Sequence, residues 1–358
     1  MKKLACIILA LAFGCLNASA QQRAPYPISP DIQVDKSVTF RFLAPNAHEV
    51  LLDAQFLDSK QPLTKGADGV WSITVPNIKP DIYPYCFVVD GNSIADPNNT
   101  YLFANERFKF SLVDVPGDTP LIHSLQNVPH GKISYRVYKS ATLNTTRQVL
   151  VYTPPGFMAN GKKKYPVLYL IHGGSDTEET WTKVGRANLI ADNLIAQHKM
   201  VPMIIVMPYA NVGFRKDVFP KEVVNDIIPF VQANYPTYTD SRHRAIAGFS
   251  VGGGQTLDIG FTNTDKFSYI CAYAPYSATE EFKGIFTNWN PDAAAINKQV
   301  KLFTLSVGKS DFLYESVKQN IAMFKEKKIN LDTLIVPGGH TWMNCKLYLA
   351  NTLPRLFK

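Results

Sequence analysis

The sequence predicts an α/β protein, a parallel sheet covered by helices on both faces, with a small all-β sandwich ahead of it. Three observations carry this reading. The 358 residues exceed the roughly 150 of an average domain, so two domains, or one large and one small, are expected. Short β-like runs separated by turn residues fill the first part of the chain, whereas later apolar runs alternate with helix-like stretches. A hydrophobic fraction of 46% against 18% charged supplies material for both cores and excludes disorder or coiled coil for the whole chain. The 24 Pro, 21 Gly, 17 Tyr and 21 Phe suit strands and turns better than a helical bundle.

The chain opens with Lys2 and Lys3, an apolar run over 4–16 and then Ala18-Ser19-Ala20. This is the pattern of a signal peptide over 1–20, cut after Ala20, and it implies a periplasmic or secreted protein. The apolar run is too short to cross about 30 Å of hydrocarbon at about 1.5 Å per residue, so no membrane span is expected after its removal. Cys15 raises a lipoprotein alternative, disfavoured by Ala12-Phe13-Gly14 in front of it. Two of the charges behind the net +8 lie in this leader, and no basic run exceeds Lys162-Lys163-Lys164. A nucleic-acid partner is therefore not indicated. Cys86, Cys271 and Cys345 sit in apolar runs and are expected as buried free thiols.

β-like runs cover 38–43, 49–53, 70–75, 83–90 and 108–112, broken by Pro45-Asn46, Ala67-Asp68-Gly69 and Asp90-Gly91-Asn92. They predict a β-sandwich over 21–112. Trp71 and Tyr85 have two readings, core residues or sugar-stacking platforms, the first being the commoner for aromatics in β-runs. Pro116, Gly117, Pro120, Pro129 and Gly131, without hydrophobic periodicity, mark 113–131 as a linker. In 132–358 apolar runs at 167–171, 203–207, 245–249, 269–274, 302–307 and 331–336 alternate with helix candidates at 186–198, 221–234, 253–262, 312–327 and 342–353. Val223, Val224, Ile227, Ile228 and Val231 form a buried helical stripe, in which Pro229 should cause a kink.

Gly248-Phe249-Ser250-Val251-Gly252 follows an apolar run and leads into a helix candidate, the context of a nucleophile elbow in an α/β-hydrolase. Ser250 is the expected nucleophile. A serine hydroxyl needs a base, and His340, in a Pro337-Gly338-Gly339 loop after a strand run, is the only histidine that follows it. The acid that orients that base comes from Asp258, Asp265, Asp292, Asp311, Glu315 or Asp332. Asp311 alone directly follows a strand run and is chosen, whereas Asp332 opens its strand and lies at the wrong edge. Backbone N–H groups of Gly173, Gly174 and Val251 are the expected oxyanion donors, with His172 structural. No Walker loop, dinucleotide fingerprint or zinc-spaced Cys/His cluster is present in the sequence, so no cofactor or metal is expected.

At these residues the chain resembles the esterase D-type carbohydrate esterases, the group of feruloyl and acetylxylan esterases to which enterochelin esterases are related. The resemblance covers roughly 128–358 and rests on Tyr152-Thr153-Pro154-Pro155-Gly156, the run 167–174, Trp181, Gly185-Arg186-Ala187-Asn188, the run 248–254, Asp311-Phe312 and Gly338-Gly339-His340-Thr341-Trp342. It implies Ser250, Asp311 and His340 as the triad and Trp181 near the acyl pocket. The first domain resembles E-set, carbohydrate-binding-like modules through Phe40-Arg41-Phe42-Leu43-Ala44-Pro45, Asp68-Gly69-Val70-Trp71 and the run 85–91. Met207-Pro208-Tyr209-Ala210 and Met343-Asn344-Cys345 depart from the pattern common in the group.

The expectation is a serine esterase that releases feruloyl groups from arabinoxylan-type polysaccharide or its oligosaccharides, with Trp181, Tyr209 and Trp342 walling the acyl site. The alternatives are an acetylxylan or trilactone siderophore esterase and, from another class, a carbohydrate-binding protein with a silent hydrolase domain. The first domain is expected to be an accessory whose removal spares small esters.

Overall fold

The computed structural model describes residues 26–212, 217–276, 286 and 289–358; the expected leader 1–20 lies outside the described residues. The N-terminal sandwich has one sheet in the order Asp31–Ile32, Val38–Leu43, Val70–Val75, Thr64–Lys65. Its other sheet runs Gln61–Pro62, Val50–Ala54, Asp81–Val89, Asn92–Ile94, with Ser111–Val115 also paired to Asp81–Val89. Alternation drives the packing: Val38 and Phe40 of one strand and Val50 and Leu52 of another point inward and are fully enclosed. Phe40 meets Tyr85 edge-on at 4.8 Å and Phe42 meets Phe87 at 4.9 Å. Tyr85 donates its hydroxyl to Asp96 Oδ2 at 2.8 Å, and the Trp71 indole N–H donates to the Ala44 carbonyl at 2.9 Å. Both rings are core, which removes them as sugar platforms. Cys86, Cys271 and Cys345 are buried free thiols.

Among the described residues the larger sheet has eight strands in the order Lys132–Ser140, Thr145–Thr153, Ile204–Pro208, Val167–Ile171, Arg244–Phe249, Tyr269–Tyr273, Leu302–Gly308, Asp332–Val336. The last six are mutually parallel, and the first two form an antiparallel hairpin on the edge. The all-parallel expectation is corrected here. Lys132–Ser140 is an edge strand that leaves Tyr135 and Val137 exposed, so it lacks the apolar run of a strand buried on both faces. Central strands such as Val167–Ile171 are buried at every position. The chain places Ile204–Pro208 on one side of Val167–Ile171 and then Arg244–Phe249 on the other. That reversal opens a crevice at the carboxyl ends of these strands, the usual ligand position in such sheets.

The stripe around Pro229 forms a helix that starts as Val218–Glu222, widens into a π-turn over Val223–Ile227 and resumes as Ile228–Asn234. Proline lacks an N–H, and its ring crowds the carbonyl four residues earlier. The wider turn gives that ring room.

The segment 113–131 is not a free tether, a second correction. Its first residues belong to strand Ser111–Val115, and beyond them Asn193 Nδ2 donates to the carbonyls of Ile122 and Ser124 at 2.8 and 2.9 Å. His123 is buried 3.5 Å from Asp81, and the Lys346 ammonium, from helix Trp342–Thr352, lies 2.7 Å from the same carboxylate. Ile82, Phe103 and Leu112 share one hydrophobic core with the larger sheet. Burial pushes the Lys346 pKa down, while Asp81 and Asp114 pull it back up. Asp81→Ala should therefore strand a buried cation and cost about 3 kcal/mol in urea unfolding. A loss below about 1 kcal/mol would show that the pair does not hold the two parts together.

Candidate active site

Ser250 lies between strand Arg244–Phe249 and helix Val251–Thr262 with φ 56° and ψ −117°, a conformation that costs a non-glycine residue about 1–3 kcal/mol. Neighbouring backbone holds it there: its N–H donates to the Tyr273 carbonyl at 2.9 Å and its carbonyl accepts from Tyr276 N–H at 2.8 Å. The flanking glycines have a steric reason. A Cβ on Gly252 would overlap the His172 carbonyl oxygen, and one on Gly248 would overlap the Gly252 carbonyl. The elbow and the end of strand Val167–Ile171 therefore pack backbone to backbone.

Asp311 follows strand Leu302–Gly308 and is buried, with Oδ1 accepting the Leu313 N–H at 2.8 Å. His340 Nδ1 stands 2.9 Å from Asp311 Oδ2 and 3.1 Å from Oδ1. The carboxylate makes Nδ1 the protonated ring nitrogen and leaves Nε2 as an acceptor. Phe249 stacks on the imidazole at 4.4 Å, and Phe312 lies against it at 4.6 Å. Ser250 and His340 line one cavity.

Gly173 and Gly174 lie against Ser250 and Val251. A Cβ on Gly173 would come within 3.6 Å of Ser250 Cβ, and one on Gly174 within 2.9 Å of Val251 Cγ2. Val251 opens its helix, so its N–H is among the first-turn donors that have no intrahelical acceptor. His172 donates from Nδ1 to the Gly173 carbonyl at 2.7 Å and accepts the Ala210 N–H on Nε2 at 2.9 Å. Burial pushes its pKa down to about 4. It is neutral and braces the turn, as the sequence suggested.

The cavity has a volume of about 390 Å³. One wall is Gly173, Gly174, Asp176, Phe249 and Trp342 around Ser250 and His340. The facing wall comes from the N-terminal part: Asp53, Gln55, Pro84, Phe103, Asn105, Phe108 and Phe110. Phe108 stacks on Phe110 at 5.2 Å and lies parallel to Phe103 at 6.5 Å. Sequence reasoning missed this wall. Its signal was three phenylalanines within 103–110, read only as a strand over 108–112.

Of the expected acyl-site residues, Trp342 lines the cavity, whereas Trp181 and Tyr209 do not. Trp181 is fully buried and meets Trp342 edge-on at 4.8 Å, so it backs the wall without forming it. Tyr209 is turned aside by the Arg147 guanidinium, 5.1 Å over its ring, and by a hydrogen bond from its hydroxyl to Glu106.

Comparison with known proteins agrees with this architecture. The Esterase family model matches residues 140–353, and that of carbohydrate-binding module 48, the isoamylase N-terminal domain, matches 27–102. An endo-1,4-beta-xylanase/feruloyl esterase of Xylanibacter ruminicola is 31% identical over 358 residues, which cover 94% of this chain and 47% of that protein. The chain thus spans about half the length of that relative. The feruloyl esterase module of Clostridium thermocellum, complexed with sinapinate, superposes with a TM-score of 0.57 at 24% identity, over 66% of this chain and 91% of that one. The enterobactin esterase of Shigella flexneri superposes with a TM-score of 0.69 at 17% identity, over 90% of this chain and 93% of that one. At these identities the superpositions speak for a shared fold, the α/β-hydrolase fold with an E-set-like module before it. The family match spans all six parallel strands together with the positions of Ser250, Asp311 and His340, and by it the chain belongs to the Esterase family.

Proposed function

We propose that this chain is a serine carboxylesterase that releases hydroxycinnamoyl groups, chiefly ferulate, from arabinoxylan-type polysaccharide through an acyl-enzyme. The observation that carries the reading is a strained Ser250 and an Asp311-bound His340 facing one cavity whose far wall carries three phenylalanines. In this reading Ser250 Oγ attacks the ester carbonyl as His340 Nε2 takes its proton. Negative charge on the carbonyl oxygen is met by N–H groups of Val251 and the Gly173–Gly174 turn, with loss of one such donor costing about 3 kcal/mol. The imidazolium, stabilised by Asp311, passes the proton to the departing sugar oxygen, which leaves as a hydroxyl as its bond to the acyl carbon breaks. Water activated by the same imidazole then breaks the acyl–Ser250 bond, freeing the acid and the serine hydroxyl.

Phe103, Phe108, Phe110 and Trp342 offer a flat aromatic acyl group apolar surface, while Asp53 and Gln55 offer polar partners at the same cavity. Acetate would use little of this surface. Burial of the ring is worth a few kcal/mol, so kcat/KM for methyl ferulate should exceed that for an acetyl ester of the same alcohol by about a hundredfold. Equal or higher kcat/KM on acetylated xylan, or a clear preference for a catechol trilactone, would overturn the ferulate assignment. Export through the segment 1–20 belongs to the same proposal, since a polymer is met outside the cell.

A further inference from the structure

The turn that carries Gly173 and Gly174 is gripped from the N-terminal part of the chain. Glu106 N–H donates to the Ser175 carbonyl at 2.7 Å, and Asn105 pairs with Asp176 as an isolated antiparallel bridge. Within that bridge Asn105 Nδ2 donates to Asp176 Oδ1 at 2.9 Å, both side chains being buried. The Asn105 amide is itself fixed, because its Oδ1 accepts the N–H groups of Arg107 and Phe108 at 2.9 and 3.2 Å. On either side the Thr180 hydroxyl donates to the Ala104 carbonyl at 2.7 Å, and Asn211 Nδ2 reaches the Asp176 carbonyl at 2.8 Å. Ser175 takes φ 63°, so the turn is tight. Asp176 closes it by donating its N–H to the Gly173 carbonyl at 3.2 Å, while its Oδ2 stands 3.0 Å from where a Gly173 Cβ would be.

We propose that Asn105 is a positioning residue for the oxyanion turn: through Asp176 it holds the Gly173 and Gly174 N–H groups where the substrate carbonyl oxygen gains charge. The proposal rests on the serine-esterase reading. Burial raises the Asp176 pKa to about 7, while the Asn105 amide and the Gly173 N–H stabilise the carboxylate and hold it down. Without Asn105 the carboxyl group loses its side-chain donor and is left with the backbone of the same turn. The Gly173–Gly174 turn then loses its side-chain tie to the N-terminal part of the chain. Asn105 thus acts on the reaction through a second residue, across the junction between the two parts of the chain.

A residue that only walled the acyl pocket would affect KM for ring-bearing acyl groups and leave acetyl esters alone. The full-length chain is therefore assayed on p-nitrophenyl acetate and methyl ferulate, with active sites counted by a serine-directed phosphonate. Asn105→Ala should lower kcat on both esters by about tenfold to a hundredfold, with KM for the acetate changed less than about threefold. The exchanged pair Asn105→Asp/Asp176→Asn keeps the hydrogen bond with donor and acceptor reversed and should return kcat to within about fivefold of wild type. Unchanged kcat on the acetate in Asn105→Ala overturns the proposal. So does an exchanged pair that folds and reacts with phosphonate yet stays more than about tenfold slow, which also decides the matter if Asn105→Ala does not fold. Failure of the underlying esterase reading looks different: turnover would then persist in Ser250→Ala.

Discussion

Ser250→Ala and His340→Ala are each expected to lower kcat by about four to six orders of magnitude, and the double variant is expected to be little worse than either alone. The non-additivity follows from the division of labour in the proposed mechanism. Without His340 Nε2 the serine hydroxyl keeps its proton, and without the hydroxyl the imidazole has nothing to activate. What survives is the contribution of the oxyanion donors and of substrate binding. Asp311→Asn should be severe but milder, because Asp311 orients His340 through Nδ1 at 2.9 Å and stabilises its cation without taking the proton. Steady-state rates of folded variants, purified away from host esterases, check this. A single variant that keeps more than a tenth of wild-type kcat removes its residue from the mechanism.

Deleting the chain through Val115 should abolish turnover of p-nitrophenyl acetate as well as of polymer. The sequence-based expectation was the opposite, an accessory module whose loss spares small esters. Three observations reverse it. Phe103, Asn105, Phe108 and Phe110 form the facing wall of the cavity. Ile82, Phe103 and Leu112 are part of the core of the larger sheet, so the cut would expose apolar surface there. The Lys346 ammonium would also lose Asp81, its buried counter-ion. A soluble truncated chain with wild-type kcat on the acetate ester would restore the accessory reading.

Elements that keep one regular pattern of apolar residues along their length were legible in the sequence. Val38–Leu43 and Val70–Val75 alternate, Val167–Ile171 is apolar throughout, and all three carry the bounds read from the sequence. The elbow was legible because its chemistry is local: a serine between glycines, with a strand before and a helix after. His340 and Asp311 followed from chain order and from their place just after strands. The hairpin Lys132–Ser140 and Thr145–Thr153 was missed because its outer strand lies half in solvent and carries lysine, arginine and tyrosine among its apolar residues. Trp181 and Tyr209 sit near the correct edge of the sheet, but their orientation depends on Trp342, Arg147 and Glu106, which are distant in sequence. The phenylalanine wall was hidden for the same reason. Nothing local in 103–110 says that it faces Ser250, since that depends on how the sandwich docks on the hydrolase sheet.

The central claim is that an acyl group passes through a covalent ester on Ser250, and rapid quenching with methyl ferulate followed by peptide mass spectrometry tests it most directly. The account predicts a feruloyl adduct on the peptide that contains Ser250, formed before steady state and lost as free ferulate accumulates. Turnover at full rate with no adduct, or with the adduct on any other residue, would contradict it.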